Sequence, residues 1–159
     1  MRKILSFSSL ALATLVSLPV MADQTLPGVN CRPANNVNMG MGADGAMQNP
    51  NGNAVDVYCP VVNISSITTS VTPSVIVNDG TNTGIVSCNA TTYSGDTGGT
   101  AVTGATVSTT AADLGKKSIT LDAMSLTAPG GSLYIKCTLP AAGMMGGGTA
   151  SSVITYSIN

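Results

Sequence analysis

The residue types that this chain lacks exclude most familiar catalytic chemistry. Its 159 residues include no His, no Trp and no Glu, and its only Phe is Phe7. Without His there is no imidazole to activate a Ser or Cys nucleophile, to shuttle protons near neutral pH or to bind zinc. Two Asp carboxyls, or a Ser with a Lys, still permit hydrolysis, but neither pair has a local motif here. We therefore expect no enzyme activity and no catalytic residues.

Charge and long apolar runs are also scarce. Only 8% of the residues are charged, and all seven acidic residues are Asp. The cations after residue 22 are scattered and form no basic face, which argues against a nucleic-acid partner. No later segment reaches the roughly 20 apolar residues of a membrane-spanning helix. We expect no transmembrane segment in the mature chain, and the partner expected is a protein or a glycan.

The first 22 residues have the pattern of a secretory signal peptide. Arg2 and Lys3 precede an apolar run from Ile4 to Leu18, and Val20-Met21-Ala22 suits signal-peptidase cleavage. The mature chain then begins at Asp23, and its four Lys and Arg against seven Asp give a net charge of −3. We expect export to the periplasm or the extracellular space, and the style of the signal indicates a bacterium.

The four cysteines predict two disulfides in such an exported chain. Four cysteines allow three connectivities. We favour the two bridges between neighbours along the sequence, Cys31–Cys59 and Cys88–Cys137. Binding of a metal by Cys is disfavoured because the chain has no C-x-x-C pair.

Residues 23–53 differ in composition from the rest of the mature chain. They are rich in Gly, Met and Asn and poor in branched apolar side chains, which predicts an N-terminal arm or surface loop before a domain at 54–159. Five loop methionines offer thioethers to Cu(I): Met39, Met41, Met47, Met144 and Met145. A loop in which Met happens to occur explains them equally well, and we predict no metal and no cofactor.

Beyond residue 53, short strand patterns alternate with Gly, Pro and Asn turns. The clearest are Ala54–Cys59, which Pro60 ends, and Ser132–Leu139 and Ser152–Ile158. Val71–Asn78 and Gly84–Ala90 read as a hairpin around Asp79-Gly80, although residues 79–84 also have the start of a calcium-loop pattern without its closing Glu. One helical turn is suggested at 111–116.

About seven to eight such strands predict an all-β fold. We expect an antiparallel β-sandwich, immunoglobulin-like or jelly-roll-like. Two tyrosines, Tyr58 and Tyr134, fall opposite the cysteine-bearing faces of their strands. All four tyrosines, Tyr93 and Tyr156 included, are candidates for a stacking face for a sugar if two of them align on neighbouring strands, and these phases allow that for Tyr58 and Tyr134.

Several segments of residues 54–158 resemble small exported bacterial β-sandwich proteins with two disulfides. The resemblance rests on Val57-Tyr58-Cys59-Pro60, Val77-Asn78-Asp79, Val86-Ser87-Cys88, residues 132–140 and Ile154-Thr155-Tyr156. It implies a disulfide-bonded sandwich and carries over no catalytic or ligand residue.

Three functions remain open. The leading hypothesis is a non-enzymatic exported domain that acts through surface interactions. One alternative is a structural subunit of a pilus or extracellular matrix, in which edge strands pair between chains. The other alternative is a carbohydrate- or metal-binding module.

Overall fold

The computed structural model describes residues 24–61, 70–81, 84–93, 99–110, 114–125, 131–142 and 150–158. The predicted signal peptide, most of the 94–99 turn cluster and the glycine-rich loop 143–148 lie outside these ranges. The described chain forms one turn of 3-10 helix, Gly28–Asn30, and these strands: β1 Gln24–Pro27, β2 Arg32–Pro33, β3 Gly40–Met41, β4 Met47–Gln48, β5 Val55–Val61, β6 Ser70–Val71, β7 Pro73–Asp79, β8 Ser87–Tyr93, β9 Ala101–Thr103, β10 Val107–Ser108, β11 Gly115–Thr120, β12 Met124–Ser125, β13 Ser132–Leu139 and β14 Ser152–Ile158.

The strands form two six-stranded antiparallel sheets and one small ribbon. The first sheet has the order β11-β7-β14-β4-β3, with β1 also paired to β14. The second has the order β10-β8-β13-β5-β2, with β9 also paired to β8, and β12 pairs with β6. This is the all-β antiparallel sandwich that the strand pattern predicts. No helix within the described ranges has the length and hydrophobicity needed to cross a bilayer.

One hydrophobic core joins the inner faces of the two sheets. Alternate residues of each long strand enter it, as the period of two along a strand requires. In β13 the inward residues are Leu133, Ile135, Cys137 and Leu139, each at most 2% exposed. They pack in one cluster with Val75 and Val77 of β7 and with Tyr156 of β14. The outer faces are left free for other roles.

Both disulfides lie within the second sheet. They join Cys31 to Cys59 and Cys88 to Cys137, the two pairs that the sequence favours. Cys88 and Cys137 are directly opposed residues of β8 and β13, with their Cα atoms 4.1 Å apart. Cys31 directly precedes β2, whose Arg32 is paired with Tyr58. The covalent bonds therefore tie neighbouring strands of one sheet rather than the two sheets to each other.

The predicted hairpin around Asp79-Gly80 is wrong. Strand β7 belongs to the first sheet and β8 to the second, so residues 80–86 connect the two sheets. Gly80 lacks the positive φ that a two-residue hairpin turn demands. The Asp79 carboxylate is buried, and it accepts hydrogen bonds from Thr109 Oγ1 at 2.6 Å and from Ser151 Oγ at 3.3 Å. Asp79 thus anchors the crossing instead of forming an exposed turn.

Pro60 does not end its strand, because its missing N–H lies on an unpaired side. Strand β5 continues to Val61 and pairs with β13 throughout, whereas its partner β2 covers only Val57 and Tyr58. The Pro60 carbonyl points to this uncovered side, where it accepts a hydrogen bond from Tyr156 Oη at 2.9 Å. A proline is tolerated where no neighbouring strand would accept a hydrogen bond from the N–H that it lacks.

Part of the segment expected to be an arm or loop pairs with both sheets. Strand β1 and the β3–β4 ribbon join the first sheet through β14, and β2 joins the second through β5. Few apolar side chains are needed, because backbone pairing and the Cys31–Cys59 bond hold the segment while Leu26 and Met47 cover the core. Gly28 fits where a Cβ would collide with the Val153 carbonyl oxygen. At the end of the helical turn predicted at 111–116, the chain instead begins strand β11. Residues 111–113 lie outside the described ranges.

Candidate functional site

Three of the four tyrosines form a row across the outer face of the second sheet. Tyr58 lies on β5, Tyr134 on β13 and Tyr93 on β8, three adjacent strands. The ring centroids of Tyr58 and Tyr134 are 5.5 Å apart, and those of Tyr134 and Tyr93 are 5.7 Å apart. We call these three residues the tyrosine row.

The register of the sheet makes the row diagonal. Tyr134 is directly opposite Pro60 on β5 and Thr91 on β8, so that its aromatic neighbours lie one outward position away on either side. Diagonal neighbours of this kind remain within reach of aromatic side chains. The row therefore crosses the three strands obliquely.

The rings of the row remain accessible on the outer face of the sheet. Tyr93 is 41% exposed, and Tyr58 and Tyr134 are half-buried. The Tyr93 and Tyr134 rings are stacked at an interplanar angle of 29°, whereas Tyr58 and Tyr134 are tilted at 59°. The hydrogen bond between the two hydroxyls and the nearby Tyr134 phenol raise the pKa of Tyr93. Tyr93 is thus neutral at physiological pH.

A charged cluster lies directly beside the row. Lys136, opposite Tyr58 in the register, places its Nζ 2.8 Å from Asp56 Oδ2, and Thr138 Oγ1 donates to Asp56 Oδ1 at 2.6 Å. Burial tends to raise the pKa of Asp56, but the bonds from Lys136 and Thr138 and the lysine charge outweigh it and lower that pKa. The bond to Asp56 raises the pKa of Lys136 against some desolvation. The pair stays ionised across the physiological range.

Neutral polar groups border the row on the same side as this cluster, toward β8 and β9. Thr91 Oγ1 and Thr103 Oγ1 share a hydrogen bond of 3.0 Å between β8 and β9. Asn89 is opposite Lys136 and donates to Thr106 Oγ1 at 3.4 Å. Its Oδ1 is buried and has no hydrogen-bond partner within the described residues. The face therefore combines aromatic rings with donors and acceptors along one side of the row.

Two concave regions adjoin the Tyr58 end of this face. A groove of about 550 Å³ is lined by Arg32, Pro60 and Tyr156 together with residues of the N-terminal segment. A smaller pocket of about 210 Å³ is lined by Asp56, Thr138 and residues 34–37 and 54–55. Both are at the edge of the sandwich where β2 ends.

The structure brings together some of the tyrosines that the sequence singled out and places another elsewhere. Tyr58 and Tyr134 come together as the strand phases suggest, and Tyr156 is buried in the core. The sequence offers Tyr93 as one of four candidates but assigns it no face, because the predicted strand stops at Ala90; extending the alternation from Cys88 to residue 93 places it outward.

The loop methionines and the 79–84 segment form no comparable cluster. Met41 and Met47 are opposed in the β3–β4 ribbon, and Met144 and Met145 lie outside the described ranges. Among the residues that the structure covers, no three His, Cys, Asp or Glu side chains come together as a metal site. The carboxylate of Asp79 is already engaged by hydroxyl and amide donors.

Comparison with models of protein families finds no match, nor does comparison with curated protein sequences. Solved structures do match. The carbohydrate-binding module CBM36 in complex with calcium and xylotriose is 17% identical, with a TM-score of 0.50, over 86% of this chain and 99% of that one. The CBM22-1 xylan-binding domain of Paenibacillus barcinonensis Xyn10C is 11% identical, with a TM-score of 0.54, over 86% and 92%.

A third similar structure belongs to a larger protein. It is an exo-β-1,3-galactanase from Phanerochaete chrysosporium, 12% identical with a TM-score of 0.50, of which the match covers 30% while covering 88% of this chain. Identities at this level establish the fold alone. The chain thus has a β-sandwich fold like that of carbohydrate-binding modules, stapled by two disulfides.

Proposed function

We propose that this protein is a non-enzymatic, exported domain that binds a glycan on the tyrosine row. The observation that carries the proposal is the alignment of Tyr58, Tyr134 and Tyr93 on three adjacent strands with centroid spacings of 5.5 and 5.7 Å. These spacings are similar to the distance between successive sugar rings along an extended glycan. The two disulfides support the exported location, since such bonds persist in oxidising compartments.

The chemistry of the face suits a sugar. The apolar C–H face of a pyranose packs on an aromatic ring, and the ring's phenol hydroxyl remains available at its edge. Asp56 and Lys136 offer acceptors and donors to sugar hydroxyls, and Thr91 with Thr103 offers hydroxyls further along the same side of the row. Charge-assisted hydrogen bonds of this kind fix orientation more strongly than neutral ones.

The likeness of the fold to glycan-binding modules favours this function over the general surface-interaction hypothesis. The pilus or matrix alternative draws less support from the described strands. Strand β1, which begins shortly after the predicted cleavage position, is four residues long and mostly exposed. Only its Leu26 reaches the core, whereas a donated strand needs several alternating apolar anchors.

Tyrosine fluorescence offers a direct test, since the chain has no Trp and three of its four tyrosines form the row. Purified mature protein is titrated with xylotriose and with a panel of oligosaccharides from xylan, mannan, cellulose and β-1,3-galactan. We expect a saturable change with at least one of these sugars. For that ligand, Tyr134→Ala should weaken binding at least tenfold, because it removes the central ring.

The matched controls separate stacking from folding. Tyr134→Phe keeps the ring and should retain most of the affinity. Ile76→Ala truncates an exposed side chain on the outer face of the first sheet and should leave binding unchanged. A panel with no saturable ligand, or a folded Tyr134→Ala variant that binds like wild type, would refute the proposal.

A further inference from the structure

A single arginine extends the tyrosine row at its Tyr58 end. Arg32 of β2 is directly opposite Tyr58 of β5 in the antiparallel register, so both side chains leave the same face of the second sheet. Arg32 is exposed. A ligand lying along the three rings would reach this guanidinium next.

No described acidic side chain neutralises the charge of Arg32, in contrast to that of Lys136, the other cation of this face. Within the described residues it forms no ion pair and no side-chain hydrogen bond, whereas Lys136 is 2.8 Å from Asp56. The Asp56–Lys136 pair is neutral as a unit. The outer face around Tyr58 therefore has a net positive charge from Arg32 alone, although the mature chain as a whole is acidic.

The groove beside Arg32 gives a bulky substituent somewhere to go. It has a volume of about 550 Å³ and is lined by Asn30, Arg32, Pro33 and Pro60, among others. Among the described residues that line it, Arg32 is the only charged one. A planar guanidinium binds a carboxylate through two parallel hydrogen bonds, a geometry that the ammonium of Lys does not provide.

We propose that the glycan bound by the tyrosine row is an acidic one, and that Arg32 recognises the carboxylate of a uronic acid in or beside this groove. The proposal rests on the proposed function, since the row must first bind a sugar chain. It names the class of that chain: a polymer with uronic acids in its backbone or as side groups.

The test uses polymers that differ only in charge. Glucuronoxylan, polygalacturonate and alginate are each compared with a carboxyl-reduced form, in which the uronic acids have become neutral sugars. Binding by wild-type mature protein is measured by affinity electrophoresis and calorimetry. We expect at least one acidic polymer to bind about tenfold more tightly than its reduced form, and the difference to shrink with added salt.

Three variants assign the effect to Arg32. Arg32→Ala should abolish the preference and leave the reduced polymer bound as before, and Arg32→Lys should restore it only in part. Lys116→Ala removes the same charge from β11 of the first sheet and should change nothing. Because Arg32 follows Cys31, each variant is first shown to contain both disulfides by mass spectrometry under non-reducing conditions.

The outcomes distinguish the two proposals. Equal binding of acidic and reduced polymers, with loss in Tyr134→Ala, would overturn the role of Arg32 and leave the glycan-binding function standing. Binding of polyglutamate as tightly as of any uronic polymer would also overturn it, since charge alone would then suffice. No binding of any polymer in the panel would refute both proposals.

Discussion

The two outer faces of this sandwich are built on the same backbone pattern but have different side chains. On the first sheet, the outward positions of β7, β11 and β14 are mostly small and polar, for example Ser74 and Ser157, whose hydroxyls are 2.8 Å apart. Its only large exposed apolar side chain among these strands is Ile76. The second sheet has the tyrosine row and the Asp56–Lys136 pair.

The sheets differ in their covalent links as well. Both disulfides join strands of the second sheet, and the first sheet has none within the described residues. Polar contacts then connect one sheet to the other, notably at Asp79 and Tyr156. The difference indicates that the second sheet is the rigid carrier of the site and the first is its support.

Removal of a disulfide should have the largest effect on this comparison. A Cys88→Ala/Cys137→Ala double variant should lower the free energy of unfolding by about 4 kcal/mol, because the bond closes a 49-residue loop in the unfolded chain. Urea unfolding of the mature protein measures it. The Cys31→Ala/Cys59→Ala variant, with a shorter loop of 28 residues, serves as comparison and should lose slightly less. Unchanged midpoints in both would contradict the rigid-carrier interpretation.

Loss of the Asp79 carboxylate should come second. Asp79→Ala leaves the buried Thr109 hydroxyl and the Thr81 N–H without their acceptor, which should cost about 2–3 kcal/mol of unfolding free energy. Asp79→Asn retains one acceptor oxygen and should cost less. Thermal unfolding followed by circular dichroism ranks the three proteins. If Ala and Asn variants match wild type, the crossing between the sheets does not depend on this group.

The hydrogen bond from Tyr156 to Pro60 links the sheets at their other edge, and its loss should lower the free energy of unfolding by less. Tyr156→Phe keeps the buried ring but leaves the Pro60 carbonyl without its donor, and should destabilise the fold by about 1 kcal/mol. Because the residue faces away from the row, affinity for neutral oligosaccharides, which need only the three rings, should stay unchanged in the same variant. A loss of affinity larger than twofold with intact stability would show that the groove geometry controls the site.

The smallest effect is expected at the Asp56–Lys136 pair. The folded pKa of Asp56 lies below 3.8, so its contribution to stability is present above that pH and is lost as the pH falls through the lowered value. Both side chains are about one third exposed, at 33% and 34%, so solvent screening keeps the contribution below about 1 kcal/mol. Unfolding of wild type and Asp56→Asn is compared at pH 7 and pH 3. The difference between the two proteins should shrink between pH 7 and pH 3, because the contribution begins to be lost below the unfolded pKa; a constant difference would mean that the pair is not its cause.

The sequence predicts those parts of the fold that depend on local alternation. Residues 132–139 and 152–158 are strands with the bounds that the pattern indicates, since residues 132–139 alternate strictly and Ile154, Tyr156 and Ile158 keep one phase. The Asp79-Gly80 segment fails for the opposite reason. A turn dipeptide looks the same whether the chain returns to its own sheet or crosses to the other, and only the buried partners of Asp79 decide.

The site is predictable only in part, because it depends on register. The phases of Tyr58 and Tyr134 follow from the positions of Cys59 and Cys137, but no local pattern states that β5 and β8 both flank β13. Tyr93 joins the row through the pairing of β8 with β13, and Arg32 lies beside the row through the pairing of β2 with β5. Arg32 also lies in a segment whose composition indicates a loop. That segment is held by backbone hydrogen bonds between strands, and these depend little on the type of side chain.

The position of the Cys88–Cys137 bond has a mechanical consequence. If the tyrosine row binds a polymer as proposed, tension on that polymer is transmitted to β5, β13 and β8, of which β13 is the central strand. Strands that share the load through hydrogen bonds alone slide apart once enough of those bonds yield. Here one covalent bond on the inner face fixes β13 to β8 at the pair of residues next to Asn89 and Lys136. The alignment of Tyr134 with Tyr93 would therefore survive a tension that separates the rest of the sandwich.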